Sequence, residues 1–301
     1  MATATSASAP ERVLQRLDWQ VVRRLDGALQ GDYRSLFLGH GVDLAGLREY
    51  QVLDDVRYID WNVTARMDVP YVRLYHEDRE ITGWFLVDLS PSVDFGTVRD
   101  GRDKRAAIID LVTALARVLQ RHGNQLGAIL YGDRPGTPIP ARVGRDQVLR
   151  IAGALLDAPR MPRAEATDLS TLLAQGLATI RRRSMVVVVS DFISRPGWER
   201  PLSLLARRHE VLAIRVHDPR ESSLPDVGPL VMQDAETGEQ VWVDTRDRRF
   251  RARFEAAARE REAGLAAMFR RAGIEAYPLS TDDDLVAAIV RIAHRRAKRR
   301  R

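Results

Sequence analysis

A chain of 301 residues with 47 Lys+Arg, 41 Asp+Glu, a net charge of +6, 45% hydrophobic and 29% charged residues has the make-up of a globular protein with a buried core. It contains no cysteine, which excludes disulfides, thiol catalysis and iron–sulfur clusters. No run nears the ~18 apolar residues of a transmembrane helix, and Met1 to Pro10 lack the basic start and apolar core of a secretory signal, so the expected compartment is the cytoplasm.

Residues 1–10 form a loose lead rich in Ala, Ser and Thr. Over residues 11–30, apolar side chains fall at Val13, Leu14, Leu17, Val21, Val22, Leu25 and Leu29, the spacing of an amphipathic helix. From Leu47 to Ile81 the pattern alternates, as in YVRLYHE, which predicts half-buried strands with a turn at Asp68 and Pro70. Residues 11–82 are therefore expected to form an N-terminal helix plus β segment.

From Gly83 onward strands and helices alternate. WFLVDL is a buried strand, 102–122 a helix, and QLGAILY at 125–131 a strand. GTPIPARV predicts an edge hairpin, because its prolines withhold ladder donors. Helices are predicted over 144–156 and 168–182. MVVVVS at 185–190 is the plainest buried strand, followed by a helix at 198–209 and the strand EVLAIRV. Residues 218–245, rich in Pro, Gly and Asp, read as an excursion with a small hairpin around Val241 to Val243. A charged helix at 247–272, the strand IEAYPL and a last helix opening at Ser280 or Thr281 complete the pattern. Asp282, Asp283 and Asp284 fall in that helix's first turn, where carboxylates suit the helix dipole. They are read as capping rather than metal binding. Alternation over 83–297 predicts an α/β domain: a doubly wound, mostly parallel sheet with helices on both faces.

The positive charge is unevenly placed. Residues 291–301 (RIAHRRAKRRR) hold seven basic residues and no acid; taking those seven from the 47 leaves 40 basic against 41 acidic residues, net −1. The basic character thus belongs to a C-terminal tail, which offers phosphates or another anionic surface a site but has no interleaved aromatics for base stacking. Lys104 and Lys298 are the only lysines; the arginine bias runs along the whole chain and reads as compositional.

Parallel sheets bind ligands beyond the carboxyl ends of their strands. WFLV ends in Asp88-Leu89-Ser90-Pro91-Ser92, and MVVVVS runs into Asp191; Thr167-Asp168 opens a helix nearby in the predicted order. Asp88, Ser90, Ser92, Thr167 and Asp191 could converge on one rim. Oxygen-only ligands suit a hard cation, above all Mg2+. The competing reading is that the hydroxyls only cap turns and helices.

At these residues the chain resembles the von Willebrand factor A domain, whose metal-ion-dependent adhesion site has the pattern Asp88-x-Ser90-x-Ser92, Thr167, Asp191. The resemblance implies a divalent cation, usually Mg2+, with an open position for a partner's acidic side chain; Asp168 could stand in for Thr167. Upstream, Arg48-Glu49-Tyr50, Asp54-Asp55-x-Arg57-x-Ile59-Asp60-Trp61 and Thr64-Ala65-Arg66 closely resemble the "domain of unknown function" family fifty-eight, from about Ser35 to Ser194. Leu53, where a glycine is usual, and Val93, where a methionine is frequent, depart from it. So many charges predict ion pairs among Asp54, Asp55, Asp60, Arg57 and Arg66, with a partner-facing surface as the alternative.

The chain has no G-x-x-x-x-G-K-[ST] loop, no G-x-G-x-x-G, no G-x-S-x-G elbow and no H-E-x-x-H. Members of the resembled family tend to be encoded beside AAA+ ATPases of the MoxR type. The resemblance therefore implies a non-enzymatic, Mg2+-dependent interaction module that works with such an ATPase, or with an acidic client protein, in a chaperone-like complex. The rivals are nucleic-acid or anionic-surface binding through the tail, and a metal-dependent hydrolase at Asp88 and Asp191, which would lack an evident general base.

Overall fold

The computed structural model describes residues 8–28, 39–51, 54–56, 59–67, 69–79, 82–96, 103–160, 167–233 and 239–299. The N-terminal helix runs as α1 (Ala9–Leu17), a π turn (Asp18–Val22) and α2 (Arg23–Ala28). Ser8 caps it in a reciprocal box with Glu11. Strand β1 (Gly39–Glu49) pairs antiparallel with β2 (Tyr71–Arg79), and α3 (Trp61–Met67) lies between them. The expected turn at Asp68 and Pro70 therefore joins a helix to a strand; Asp68 itself lies outside the described residues.

The main sheet comprises β3 (Thr82–Asp88), β4 (Gln125–Tyr131), β5 (Ile139–Arg142), β6 (Met185–Ser190), β7 (Glu210–His217) and, past a two-stranded excursion of β8 (Pro229–Gln233) and β9 (Gln240–Asp244), β10 (Ala276–Ser280). Its order is β10-β7-β6-β3-β4-β5. All neighbours run parallel except β5, which lies antiparallel on β4 at one border, the place its prolines predicted. Both border strands carry a proline, Pro140 in β5 and Pro278 in β10.

Alternation along β3 divides the core. Phe85 and Val87 join a cluster with α1, α2, α4 (Lys104–Arg121), α5 (Arg145–Asp157) and α9 (Leu285–Arg299). Trp84 and Leu86 join a second cluster with α6 (Leu169–Thr179), α7 (Glu199–Arg208) and α8 (Arg248–Ala272). Helices thus cover both faces, which is why β6 is buried from end to end. Helix α4 is buried along most of its length, enclosed by the sheet, α1 and α5.

The last helix changes the meaning of the basic tail. It starts at Leu285, later than expected, and buries Ile292, Ala293 and Arg296. Arg296 pairs with Glu210 at 2.5 Å and Arg291 with Asp283 at 2.8 Å. The basic segment is thus helical up to Arg299 and packed at Ile292, Ala293 and Arg296; Arg300 and Arg301 lie outside the described residues.

Gly127 tests the core. A Cβ there would lie 2.8 Å from the Cε3 and Cζ3 atoms of the buried Trp84 ring, so the ring would have to shift. Gly127→Ala should cost about 1–3 kcal/mol in urea unfolding; unchanged stability would contradict this packing.

Candidate functional site

Strands β3, β6, β7 and β10 end on one rim. Asp88, the last residue of β3, is fully buried. Its Oδ1 accepts the Ser90 N–H at 2.9 Å, and its Oδ2 accepts the Ser190 hydroxyl at 2.7 Å. Leu89 N–H donates to the Tyr131 carbonyl at 2.7 Å, and Ser90 caps a 3-10 turn over Pro91–Asp94. This loop sets the Ser90 and Ser92 hydroxyls 3.1 Å apart, both buried beside Asp88. Burial first, and the nearby Asp191 carboxylate second, push the Asp88 carboxyl from the ordinary 3.8 up to about 6.

Asp191 follows β6. Its Oδ1 accepts Ile193 N–H at 3.0 Å and its Oδ2 accepts the Lys104 ammonium at 2.8 Å. The next residue, Phe192, has φ +56°, a left-handed conformation costly for a bulky side chain. Its N–H donates to Ser190 Oγ at 2.8 Å, and its ring is wedged against Phe269 (centroids 4.8 Å apart, edge-on) and Trp198 (5.4 Å). This packing holds the sharp turn that presents Asp191.

Thr167 is buried and is tied to the Asp191 loop through its carbonyl, which accepts Arg195 N–H at 2.9 Å and the Ser194 hydroxyl at 3.0 Å. Asp168 is committed to capping α6, accepting Ser170 N–H at 3.0 Å, so it is a poor stand-in for Thr167. The structure thus brings Asp88, Ser90, Ser92 and Asp191 together directly and joins Thr167 through backbone. Among the described residues no group of three or more His, Cys, Asp or Glu is placed to hold a metal ion; this cluster has two carboxylates, and its other oxygens are hydroxyls.

Four further residues build the site. Ser190 bridges Asp88 and the Phe192 turn. The Lys104 side chain, 1% exposed, also donates to Glu221 Oε1 at 2.5 Å. Burial alone would push its ammonium down, but Asp191 and Glu221 outweigh burial and raise it above the ordinary lysine value. Arg105 donates to Leu89 O at 3.0 Å, Ala158 O at 3.2 Å and Asp94 Oδ1 at 2.5 Å, which fixes the serine loop against the end of α5. One signal was available for Lys104: it is the only lysine outside the C-terminal segment.

The acidic trio precedes the last helix instead of filling its first turn, and Asp284 is the member that caps it. Asp284 Oδ1 accepts Ala287 N–H at 2.9 Å and Asp283 Oδ2 accepts Ser280 N–H at 2.9 Å. In the upstream block two of the carboxylates have these partners. Asp54 is held by Arg48 through two bonds of 2.6 and 2.7 Å, and Asp60 caps α3 through Asn62 N–H at 3.0 Å and Val63 N–H at 3.2 Å. Arg57 lies outside the described residues.

The fold and rim define an α/β protein whose mostly parallel six-stranded sheet carries a buried oxygen cluster at its strand ends. The chain belongs to the family described as "Protein of unknown function DUF58", whose pattern matches residues 46–264. It is 40% identical over 284 residues to the uncharacterized protein Rv1480 of Mycobacterium tuberculosis (strain ATCC 25618 / H37Rv), covering 94% of this chain and 89% of that one. It is 41% identical over 162 residues to the uncharacterized protein MAV169 of Mycobacterium avium, covering 54% of this chain and 95% of that one. Among solved structures, an aerotolerance-related membrane protein from Bacteroides fragilis superposes with a TM-score of 0.50 at 12% identity, over 73% of this chain and 99% of that one, a likeness of fold. Among the described residues no helix here is long and apolar enough to cross a membrane.

Asp88 predicts a pH dependence. A carboxyl whose folded-state value exceeds its unfolded one favours the fold below the unfolded value, and that contribution is lost as pH rises through the folded value. Between 3.8 and about 6 the loss is about 3 kcal/mol. Asp88→Asn should abolish it: without divalent cations, thermal unfolding of the variant should exceed wild type above about pH 6 and converge with it near pH 4. Parallel profiles would contradict the buried-carboxylate assignment.

Proposed function

We infer that this protein is a non-enzymatic interaction module with a von Willebrand factor A-like domain, and that its rim is a metal-ion-dependent adhesion site working with a MoxR-type AAA+ ATPase in a chaperone-like complex. The observation that carries the reading is the state of Asp88. It is fully buried, its hydrogen-bond partners Ser90 N–H and Ser190 O–H are neutral, and its carboxyl is pushed up to about 6. At the rim the Lys104 ammonium bridges Asp191 and Glu221, and the Asp88 carboxyl, near enough to Asp191 to be raised by it, adds a third acidic group. Such a surplus of negative charge is relieved by a cation.

The donor set fits a hard divalent cation. All its ligating atoms are oxygens, and two of them, the Ser90 and Ser92 hydroxyls, are already side by side. Asp88, Ser90 and Ser92 would hold Mg2+, with Thr167 and Asp191 completing the set. Bound Mg2+ supplies an electron-poor coordination position for a partner's Asp or Glu. The chain's own part is positional: Ser190 orients Asp88, Arg105 fixes the serine loop, and the Phe192 turn presents Asp191. Of the seven basic residues of the C-terminal segment, Arg291 and Arg296 are engaged with Asp283 and Glu210.

The test is capture of the MoxR-type ATPase by purified protein. Capture should occur in Mg2+ and be lost in EDTA and in the Asp88→Ala/Ser90→Ala variant. Capture that is unchanged in EDTA overturns the reading.

A further inference from the structure

The sequence directed attention to the oxygens at the strand ends, but the structure shows that a cation is already there. Lys104 stands at the first position of α4, behind the capping residue Asp103, whose Oδ1 accepts Ala106 N–H at 2.7 Å. Its ammonium lies between Asp191 Oδ2 at 2.8 Å and Glu221 Oε1 at 2.5 Å, with the Phe95 ring centroid 5.7 Å away. Glu221 belongs to a 3-10 turn over Pro219–Glu221 that follows β7. Its other oxygen accepts Asp218 N–H at 3.2 Å, and Asp218 Oδ2 in turn accepts the Thr281 hydroxyl at 2.9 Å. Glu221 therefore rests on a frame tied to the end of β10.

The geometry points to Lys104 as a tethered cation that competes with the divalent metal for Asp191, with Glu221 as the carboxylate that draws the ammonium away. This inference rests on the adhesion-site reading and names the residues that set the metal affinity of that site. Three observations support it. Asp191 offers one oxygen to backbone and the other to Lys104, so a metal ligated by Asp191 must displace or repel the ammonium, since two cations against one carboxylate repel each other. Arg105 locks the helix start through Leu89, Asp94 and Ala158, so the ammonium can move only on its own four-carbon stem. Within reach of that stem lies Glu221, whose side chain is 14% exposed and already bonded to the same nitrogen. Metal entry would thus leave Lys104 wholly to Glu221 and register in the turn after β7.

The two ends of this exchange should respond oppositely. Lys104→Met frees Asp191 and should tighten Mg2+ binding about tenfold or more, because a nearby like charge is gone. Glu221→Gln leaves the ammonium to Asp191 alone and should weaken Mg2+ binding by a similar factor, about tenfold. The readouts are calorimetric titration with MgCl2 and the Mg2+-dependent shift in thermal unfolding of the full chain. Lys104→Met leaves the buried Asp191 carboxylate without its cation and risks misfolding; Glu221→Gln keeps the Lys104–Asp191 pair and suffices alone. If Glu221→Gln binds Mg2+ as tightly as wild type or tighter, or if a folded Lys104→Met variant binds more weakly, the exchange is overturned while the adhesion-site reading stands. Binding by Lys104→Met with none by wild type upholds the exchange and overturns the adhesion-site reading. Absence of binding by wild type and both variants overturns both.

Discussion

A single buried ammonium organises the rim at the carboxyl ends of the strands. Lys104 joins the end of β6, through Asp191, to the turn after β7, through Glu221. Its neighbour Arg105 joins the serine loop to the end of α5. Two consecutive side chains at one helix start thereby hold four separate segments in register. Burying such charges is costly, and the cost is offset only while the geometry is complete and each donor and acceptor is met. The rim is therefore a unit whose parts depend on one another.

The rest of the rim is built on rigid elements. Asp88 and Ser190 are the last residues of adjacent parallel strands, so sheet register alone brings the Asp88 carboxylate and the Ser190 hydroxyl within 2.7 Å. The chain then turns through Phe192 in a conformation its own side chain disfavours, and the contacts with Phe269 and Trp198 stabilise that turn. Helix α8, far along the chain, thus supports the placement of Asp191 by supplying Phe269.

The fold was largely legible because buried parallel strands leave unbroken apolar runs. MVVVVS and QLGAILY matched β6 and β4 residue for residue. Helix α3 was missed because none of its residues is buried, so no apolar period marks it; its real signal was the Asp60 cap. The ladder of β1 with β2 spans the whole stretch from residue 50 to 70, a separation that local pattern does not reveal. In the site, the oxygen-bearing residues were readable as a motif. Lys104, Arg105 and Glu221 were not, since their partners lie 87, 11 and 117 residues away in sequence. Lys104 stood out among the arginines, yet composition alone could not assign it a place. The upstream charge block was readable as charged, but not that Arg48 pairs with Asp54 or that Asp60 accepts the N–H groups opening α3.

The proline in each border strand, Pro140 and Pro278, bears on how the protein can meet others. An open sheet border is a template on which a foreign strand can be laid down, and a proline withholds the donor such growth requires. With both flanks blunted in this way, lateral accretion is disfavoured and association is steered to the ends of the strands. The sheet is thus divided between guarded flanks and an open end.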